Sequence, residues 1–341
     1  MSDKPRVLYV CTAGHTERVF RPGKYEEMLE RFDVTANNGA ANWNSEEVAE
    51  RAAGMAGIVT GWGAPKLIPE VFAAAPELKI IAHSAGSVHG LIPDEIAREF
   101  IVPRGVTVFS ANNAIARNVA ESAIGMLLMA MRHWVQFSNW YHETGNWVNP
   151  VYDKNGQYLQ GSTVGVVSAS KVGREVIRLL GPWDVTILVY DPYLSDADAA
   201  AMGVERVDLN DLFARADHVT VHAPSTPETE KMIGAEQLGL LREGATLVNT
   251  SRGSVIDHDA LVAAARARRI NVSLDVTVPE PLPPGHAIRG LDNVIVTPHC
   301  SGSGFYGYWE IGDSTVQALA DAFAGRPVAG AVPMERFETI A

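Results

Sequence analysis

Three apolar runs late in the chain each give way to polar groups that can do chemistry. Leu247-Val248-Asn249-Thr250-Ser251-Arg252-Gly253 puts a guanidinium just past one run. Leu274-Asp275-Val276-Thr277-Val278-Pro279-Glu280-Pro281 puts two carboxylates past the next, and Val296-Thr297-Pro298-His299 puts an imidazole past the last. Together these groups suit hydride exchange at a carbonyl or alcohol carbon. A planar cation grips a carboxylate through paired hydrogen bonds and polarises the reacting oxygen. A histidine titrating near neutrality exchanges the hydroxyl proton, and a carboxylate beside it favours its charged form. Arg252, His299 and Glu280 would fill those roles. Each has an ordinary reading alone: Arg252 as a surface ion pair, His299 as a satisfied loop histidine, Glu280 as a solvated acid among Pro279, Pro281, Pro283 and Pro284. Their coincidence at consecutive strand ends favours the joint reading.

A second stretch supplies a place for a cofactor. Thr163-Val164-Gly165-Val166-Val167 is β-branched and apolar, and Val172, Val176, Leu179 and Leu180 follow at helical spacing. Between them lies Ser168-Ala169-Ser170-Lys171-Val172-Gly173, where a dinucleotide fingerprint has G-x-G-x-x-G. Only the third glycine is present. The first two normally permit a sharp turn and close approach of backbone to phosphate, while a serine tolerates turns and carries a hydroxyl that could reach a phosphate. Eighteen residues past Gly173, the run Val185–Tyr190 ends at Asp191, where such sites hold a ribose; a plain strand-ending turn is the other reading. The helix start offers N–H groups and a positive dipole end to a pyrophosphate.

The elements that must position these groups alternate strand and helix throughout. In the first part, strands are predicted at 6–11, 57–60, 79–83 and 106–109, and helices at 23–32, 45–53, 69–75 and 93–99. In the later part, strands are predicted at 163–168, 185–190, 218–222, 245–249, 271–275 and 294–297, with helices at 172–180, 208–215, 235–241 and 257–267. Such alternation implies parallel sheets with crossover helices. Residues 111–137 read as a crossing with a long, mostly buried helix, 138–160 as an irregular aromatic segment suited to packing on a neighbouring subunit or on the chain itself, and 309–324 as a final helix returning to the first domain. Two crossings would leave a cleft between the lobes.

Bulk composition narrows the classes. At 341 residues the length suits about two domains, and 47% hydrophobic with 20% charged residues implies a packed core. A net charge of −12 argues against broad nucleic-acid binding, so an anionic ligand must be held by local cations. No apolar run reaches the roughly 18 residues needed to span a bilayer. Two cysteines, Cys11 and Cys300, make neither a disulfide framework nor a metal pattern, and the ten histidines show no ligand spacing, so no metal is expected and a cytoplasmic location is.

At this point the sequence resembles the D-isomer-specific 2-hydroxyacid dehydrogenases, the family of glyoxylate/hydroxypyruvate reductases, phosphoglycerate dehydrogenase and D-lactate dehydrogenase. The likeness covers most of the chain and is densest over 110–303. Asn113–Glu121 is similar to the start of the family's crossing helix, and Val221-His222-Ala223-Pro224-Ser225-Thr226-Pro227-Glu228-Thr229 to its H-x-P-x-T-P-x-T segment beside the adenosine. Glu243–Gly253 resembles the block carrying the substrate arginine, and Pro279-Glu280-Pro281 and Thr297-Pro298-His299 match the catalytic Glu and His. Asp275 matches an acid near the nicotinamide carboxamide, and Ala85, Gly86 and Ser87 fall where the family's loop gives N–H groups to the substrate carboxylate.

The resemblance implies an α/β fold of two doubly wound parallel sheets, a Rossmann-like NAD-binding domain (112–303) inserted in a flavodoxin-like substrate domain (1–111 and 304–341). It implies cofactor contacts at Ser168, Ser170, Lys171, Val172, Gly173, Asp191, His222, Ala223, Pro224, Thr229, Thr250, Ser251 and Asp275. It also implies a small 2-oxo or 2-hydroxy acid substrate and a homodimer, while the charge and the apolar run lengths imply partnership with neither nucleic acid nor membrane. Asp191 would repel a 2′-phosphate, favouring NAD over NADP, and no arginine follows to welcome that phosphate.

Two other classes compete. Ala82-His83-Ser84-Ala85-Gly86 nearly matches a nucleophile elbow, and Ser84, Asp275 and His299 follow a hydrolase's chain order, but Gly86, Gly90 and Pro93 interrupt the helix an elbow needs. A dinucleotide-binding relative that has lost catalysis is motivated by the two serines of the fingerprint and opposed by retention of Arg252, Glu280 and His299.

Overall fold

The computed structural model describes residues 4–152 and 156–339. The chain divides into two compact units, Met1–Ile115 with Ser303–Ala341, and Ala116–Gly302.

The first unit holds five parallel strands, β1 (Arg6–Tyr9), β2 (Asp33–Ala36), β3 (Gly57–Thr60), β4 (Ile80–His83) and β5 (Thr107–Ser110), in the order β2-β1-β3-β4-β5. Helices cover both faces, so the central strands are continuous apolar runs rather than alternating ones. Leu8, Ile58, Ile81 and Val108 point into one core, and Val7, Tyr9, Val59, Ile80 and Phe109 into the other. The second core is completed by Ile311, Val316 and Leu319 of the helix Phe305–Phe323. That helix lies so close to the first helix, Ala13–Val19, that a Cβ on Gly312 would sit 2.3 Å from the Val19 carbonyl oxygen.

The second unit holds seven parallel strands: β6 (Thr163–Val167), β7 (Thr186–Tyr190), β8 (Glu205–Arg206), β9 (His218–Val221), β10 (Ala245–Asn249), β11 (Ile270–Leu274) and β12 (Val294–Val296). Their order, β12-β11-β10-β9-β6-β7-β8, reverses direction at β6, which is the doubly wound pattern. Ligands in such sheets bind beyond the carboxyl ends of the strands, next to that reversal.

The structure departs from the sequence reading at its weakest signals. It adds β2, an edge strand with no buried residue, the two-residue β8, and the helices Ala13–Val19 and Asp196–Met202. The segment read as irregular from 138 instead opens inside a helix, Trp134–Thr144, closed by Gly145 at φ +67°. Positions 153–155 of that segment lie outside the described residues. The long helix Asn112–Met131 is, by length and composition, apolar enough to cross a membrane, where no apolar stretch of that length was expected. Its Ala120, Ala123, Met126, Leu127 and Met131 are spent on the core of the second unit, with Val164, Val166 and Val176.

Candidate active site

The turn after β6 is built around a carboxylate. Ser168 adopts φ +78°, the left-handed region that glycine fills in the fingerprint. Its Oγ donates to Asp191 Oδ2 at 3.1 Å, and the Ala169 N–H donates to the same oxygen at 2.8 Å. The Tyr193 N–H donates to Asp191 Oδ1 at 2.8 Å. Ser170 caps the helix Lys171–Leu180 by accepting from the Gly173 N–H at 3.3 Å, and donates its own hydroxyl to the His222 carbonyl at 2.9 Å. Neither serine hydroxyl points outward to a phosphate, contrary to what their polarity suggested. The donors left over are the backbone N–H groups of Ser170, Lys171 and Val172, which bond nothing among the described residues. Gly173 is obligatory: a Cβ there would lie 2.0 Å from the Ser168 carbonyl oxygen. Free N–H groups at a ten-residue helix start, a glycine-tight turn and an acid at the next strand end fit a dinucleotide.

At β9 and β10 the polar side chains are turned inward. His222 is buried, with Nε2 2.9 Å from Thr220 Oγ1 and Nδ1 3.5 Å from Thr250 Oγ1. Burial pushes its pKa down to about 3, so the ring is neutral. Thr229 donates to the Pro224 carbonyl at 2.6 Å and accepts from the Thr226 N–H, which closes the loop after Ala223. Ser251 donates from both N and Oγ to Asn249 Oδ1, at 2.9 and 2.8 Å, while Asn249 Nδ2 donates to the Arg252 carbonyl at 3.0 Å. This one buried asparagine at the last position of β10 thus fixes the backbone that carries Arg252. The guanidinium is exposed and, among the described residues, reaches only the Ser251 carbonyl, at 2.7 Å. Next to it, a Cβ on Gly253 would lie 2.3 Å from the Thr277 carbonyl carbon, so the loops after β10 and β11 touch backbone to backbone.

Asp275 organises the last two strand ends. Its Oδ1 accepts from Thr297 Oγ1 at 2.5 Å and from the Cys300 N–H at 2.9 Å, and its Oδ2 from the Ser301 N–H at 2.8 Å. Its own carbonyl accepts the His299 N–H at 2.9 Å. Burial works to raise its pKa, but the bonds from Ser301, Thr297 and Cys300 together outweigh it and hold the carboxyl below its usual value. The sequence reading gave Asp275 to the cofactor, whereas both of its oxygens are turned to the loop that carries His299. That residue sits at φ +50°, and its Nδ1 is hydrogen-bonded to Glu280 Oε1. The pair is about half exposed, with Nε2 outward of any protein partner among the described residues. Arg252, after strand β10, makes no hydrogen bond or ion pair with either member of the pair.

In the first unit, the loop after β4 presents Ala85, Gly86 and Ser87. Their carbonyl side is anchored: Ser110 Oγ donates to the Gly86 carbonyl at 2.6 Å, and the Ala111 N–H to that of Ala85 at 3.1 Å. Their three N–H groups bond nothing among the described residues. Ser84 is fully buried with its Oγ unpartnered, and the next helix begins only at Asp94, so no nucleophile elbow forms.

The family model for the "D-isomer specific 2-hydroxyacid dehydrogenase, NAD binding domain" matches residues 124–301. The chain belongs to that family. The D-3-phosphoglycerate dehydrogenase of Archaeoglobus fulgidus is 33% identical over 274 residues, 80% of this chain and 50% of that protein. This chain therefore spans about half the length of that relative. The glyoxylate reductase of Thermofilum pendens is 36% identical over 239 residues, 69% of this chain and 68% of that one. Among solved structures, the NADPH-dependent glyoxylate/hydroxypyruvate reductase of Sinorhizobium meliloti aligns with a TM-score of 0.75 at 25% identity, covering 97% and 98% of the two chains. Within this family member, sequence reasoning missed Asn249, Thr297 and Ser110. Each is a small polar residue at or just beyond a strand end, and that position is the only signal they carry.

Proposed function

We propose that this protein transfers a hydride between a nicotinamide cofactor and a 2-oxo acid, forming or consuming a D-2-hydroxy acid. The observation that carries the reading is the His299–Glu280 pair standing on a turn that Asp275 holds from beneath. With Nδ1 committed to Glu280, His299 presents Nε2 as the proton donor to the substrate oxygen, and Glu280 stabilises the imidazolium that donates. Arg252 takes the substrate carboxylate and polarises the neighbouring carbonyl. In the first unit, the free N–H groups of Ala85, Gly86 and Ser87 suit the same kind of anion. The nicotinamide cofactor, when bound, supplies or accepts the hydride. Ser170, Lys171 and Val172 would hold its pyrophosphate through backbone N–H groups, and Asp191 its adenosine ribose.

We assign residues 112–303 to cofactor binding and 1–111 with 304–341 to substrate binding. Asp191 favours NAD over NADP, since a fixed carboxylate repels a 2′-phosphate; the NADPH-dependent name of the Sinorhizobium meliloti relative makes both cofactors part of the test. Glyoxylate, hydroxypyruvate and a phosphorylated 2-oxo acid, each offered with NADH and NADPH, should show loss of nicotinamide absorbance with at least one pair. Silence across the panel, in protein that binds NADH, would instead support a relative without catalysis.

We also propose a homodimer in the cytoplasm. The two thiols, Cys11 and Cys300, are unpaired, which suits a reducing compartment. Trp134, Tyr141, Val148, Val151 and Tyr158 leave half or more of their surface exposed within one short stretch, a density of apolar surface suited to a second copy. Light scattering should give twice the chain mass, and Val148→Asp should shift it toward one.

A further inference from the structure

We propose that Ser168 is a positioning residue for cofactor selection: its hydroxyl locks the Asp191 carboxylate in the orientation that discriminates NADH from NADPH. This rests on the reading of the second unit as a nicotinamide-dinucleotide site. A serine where the fingerprint has glycine looks like a loss, and its left-handed backbone is one that side chains avoid. The structure shows what holds it there. The Ser168 hydroxyl donates to Asp191 Oδ2, while the Ser168 N–H ties the turn to the Tyr190 carbonyl at 2.7 Å, one residue before that acid.

The lone pairs of Asp191 show the consequence. A carboxylate offers about four acceptor sites. Ser168 Oγ and the Ala169 N–H fill both on Oδ2, and the Tyr193 N–H fills one on Oδ1. One site on Oδ1 is left for a ribose hydroxyl. Ser168 therefore adds a third donor that, with the Ala169 and Tyr193 N–H groups, keeps the carboxylate from rotating away. A carboxylate that can rotate makes room for a 2′-phosphate, and a locked one keeps its charge against it. With glycine at 168 the orientation would rest on two backbone donors alone.

The test is titration of NADH and NADPH into the intact protein, followed by quenching of its tryptophan fluorescence, for the parent, Ser168→Ala and Ser168→Gly. The parent should bind NADH more tightly than NADPH. In both variants the ratio of the two dissociation constants should fall by about fivefold, the net scale of one ordinary hydrogen bond. Thermal unfolding separates this from a structural role: glycine relieves the backbone and should melt no lower than alanine, yet lose the same discrimination. A ratio unchanged in either variant, alongside normal NADH binding, overturns the assignment. A parent that binds no NADH would remove the cofactor reading, and the assignment with it.

Discussion

His299 is useful because its two nitrogens are in different situations. Nδ1 is committed to Glu280, so only Nε2 can serve a substrate. His299→Gln should lower turnover by about 10²–10⁴ in steady-state assays, with NADH still bound. Glu280→Gln should lower it less, because the amide oxygen can still accept from Nδ1 but carries no charge to stabilise the imidazolium. Asp275 belongs to a different category. All the donors on it come from the protein, so Asp275→Asn replaces an acceptor with a donor facing donors in a buried place. Leaving such a group unsatisfied costs about 1–3 kcal/mol, which denaturant unfolding should register. The family resemblance gave Asp275 a cofactor contact; that Thr297, Cys300 and Ser301 would converge on it depends on β11 and β12 being neighbours, which no local pattern states.

At the scale of elements, two glycines set how closely loops and helices can approach. Gly173→Ala would drive a methyl into the Ser168 carbonyl and push the helix off the turn, so NADH quenching should be lost while most of the fold survives. Gly253→Ala would wedge apart the loops after β10 and β11 and move Arg252, and should raise the substrate KM more than it alters cofactor binding. The third fingerprint glycine was legible in sequence because its partner, the turn, is local. Buried parallel strands such as Ala245–Asn249 were legible too, since burial on both faces writes a continuous apolar run. What sequence hid has a common cause: few buried apolar residues. Asp33–Ala36 lies at a sheet edge, Ala13–Val19 buries only His15 and Val19, and Asp196–Met202 buries a single alanine. Their place is decided by tertiary packing, not by periodicity.

Across the whole molecule, buried histidines couple stability to acidity. Burial, the leading cause in each case, pushes His15, His83 and His218 down to about 4 and His222 to about 3, from an ordinary 6.5. Because these folded-state values lie below the unfolded ones, the unfolded chain takes up protons first as pH falls. Their stabilising contribution is complete above pH 6.5 and drains away toward pH 4, at about 1.4 kcal/mol per pH unit for each group that titrates fully in that window. The melting temperature should therefore drop steeply between those limits, and a flat profile would show that the rings are charged or hydrated in the folded state. The discontinuous first unit carries another consequence, for the order of synthesis. Strands β1 to β5 leave the ribosome with one apolar face only partly covered, by Val19, Phe20, Met28 and Phe32, and the residues that complete the cover, Ile311, Val316 and Leu319, are made only after the entire second unit. A nascent chain halted near residue 302 would hold a finished inner domain beside a sticky, half-clad sheet, so chaperones should engage the amino-terminal third and let go only once the closing helix emerges.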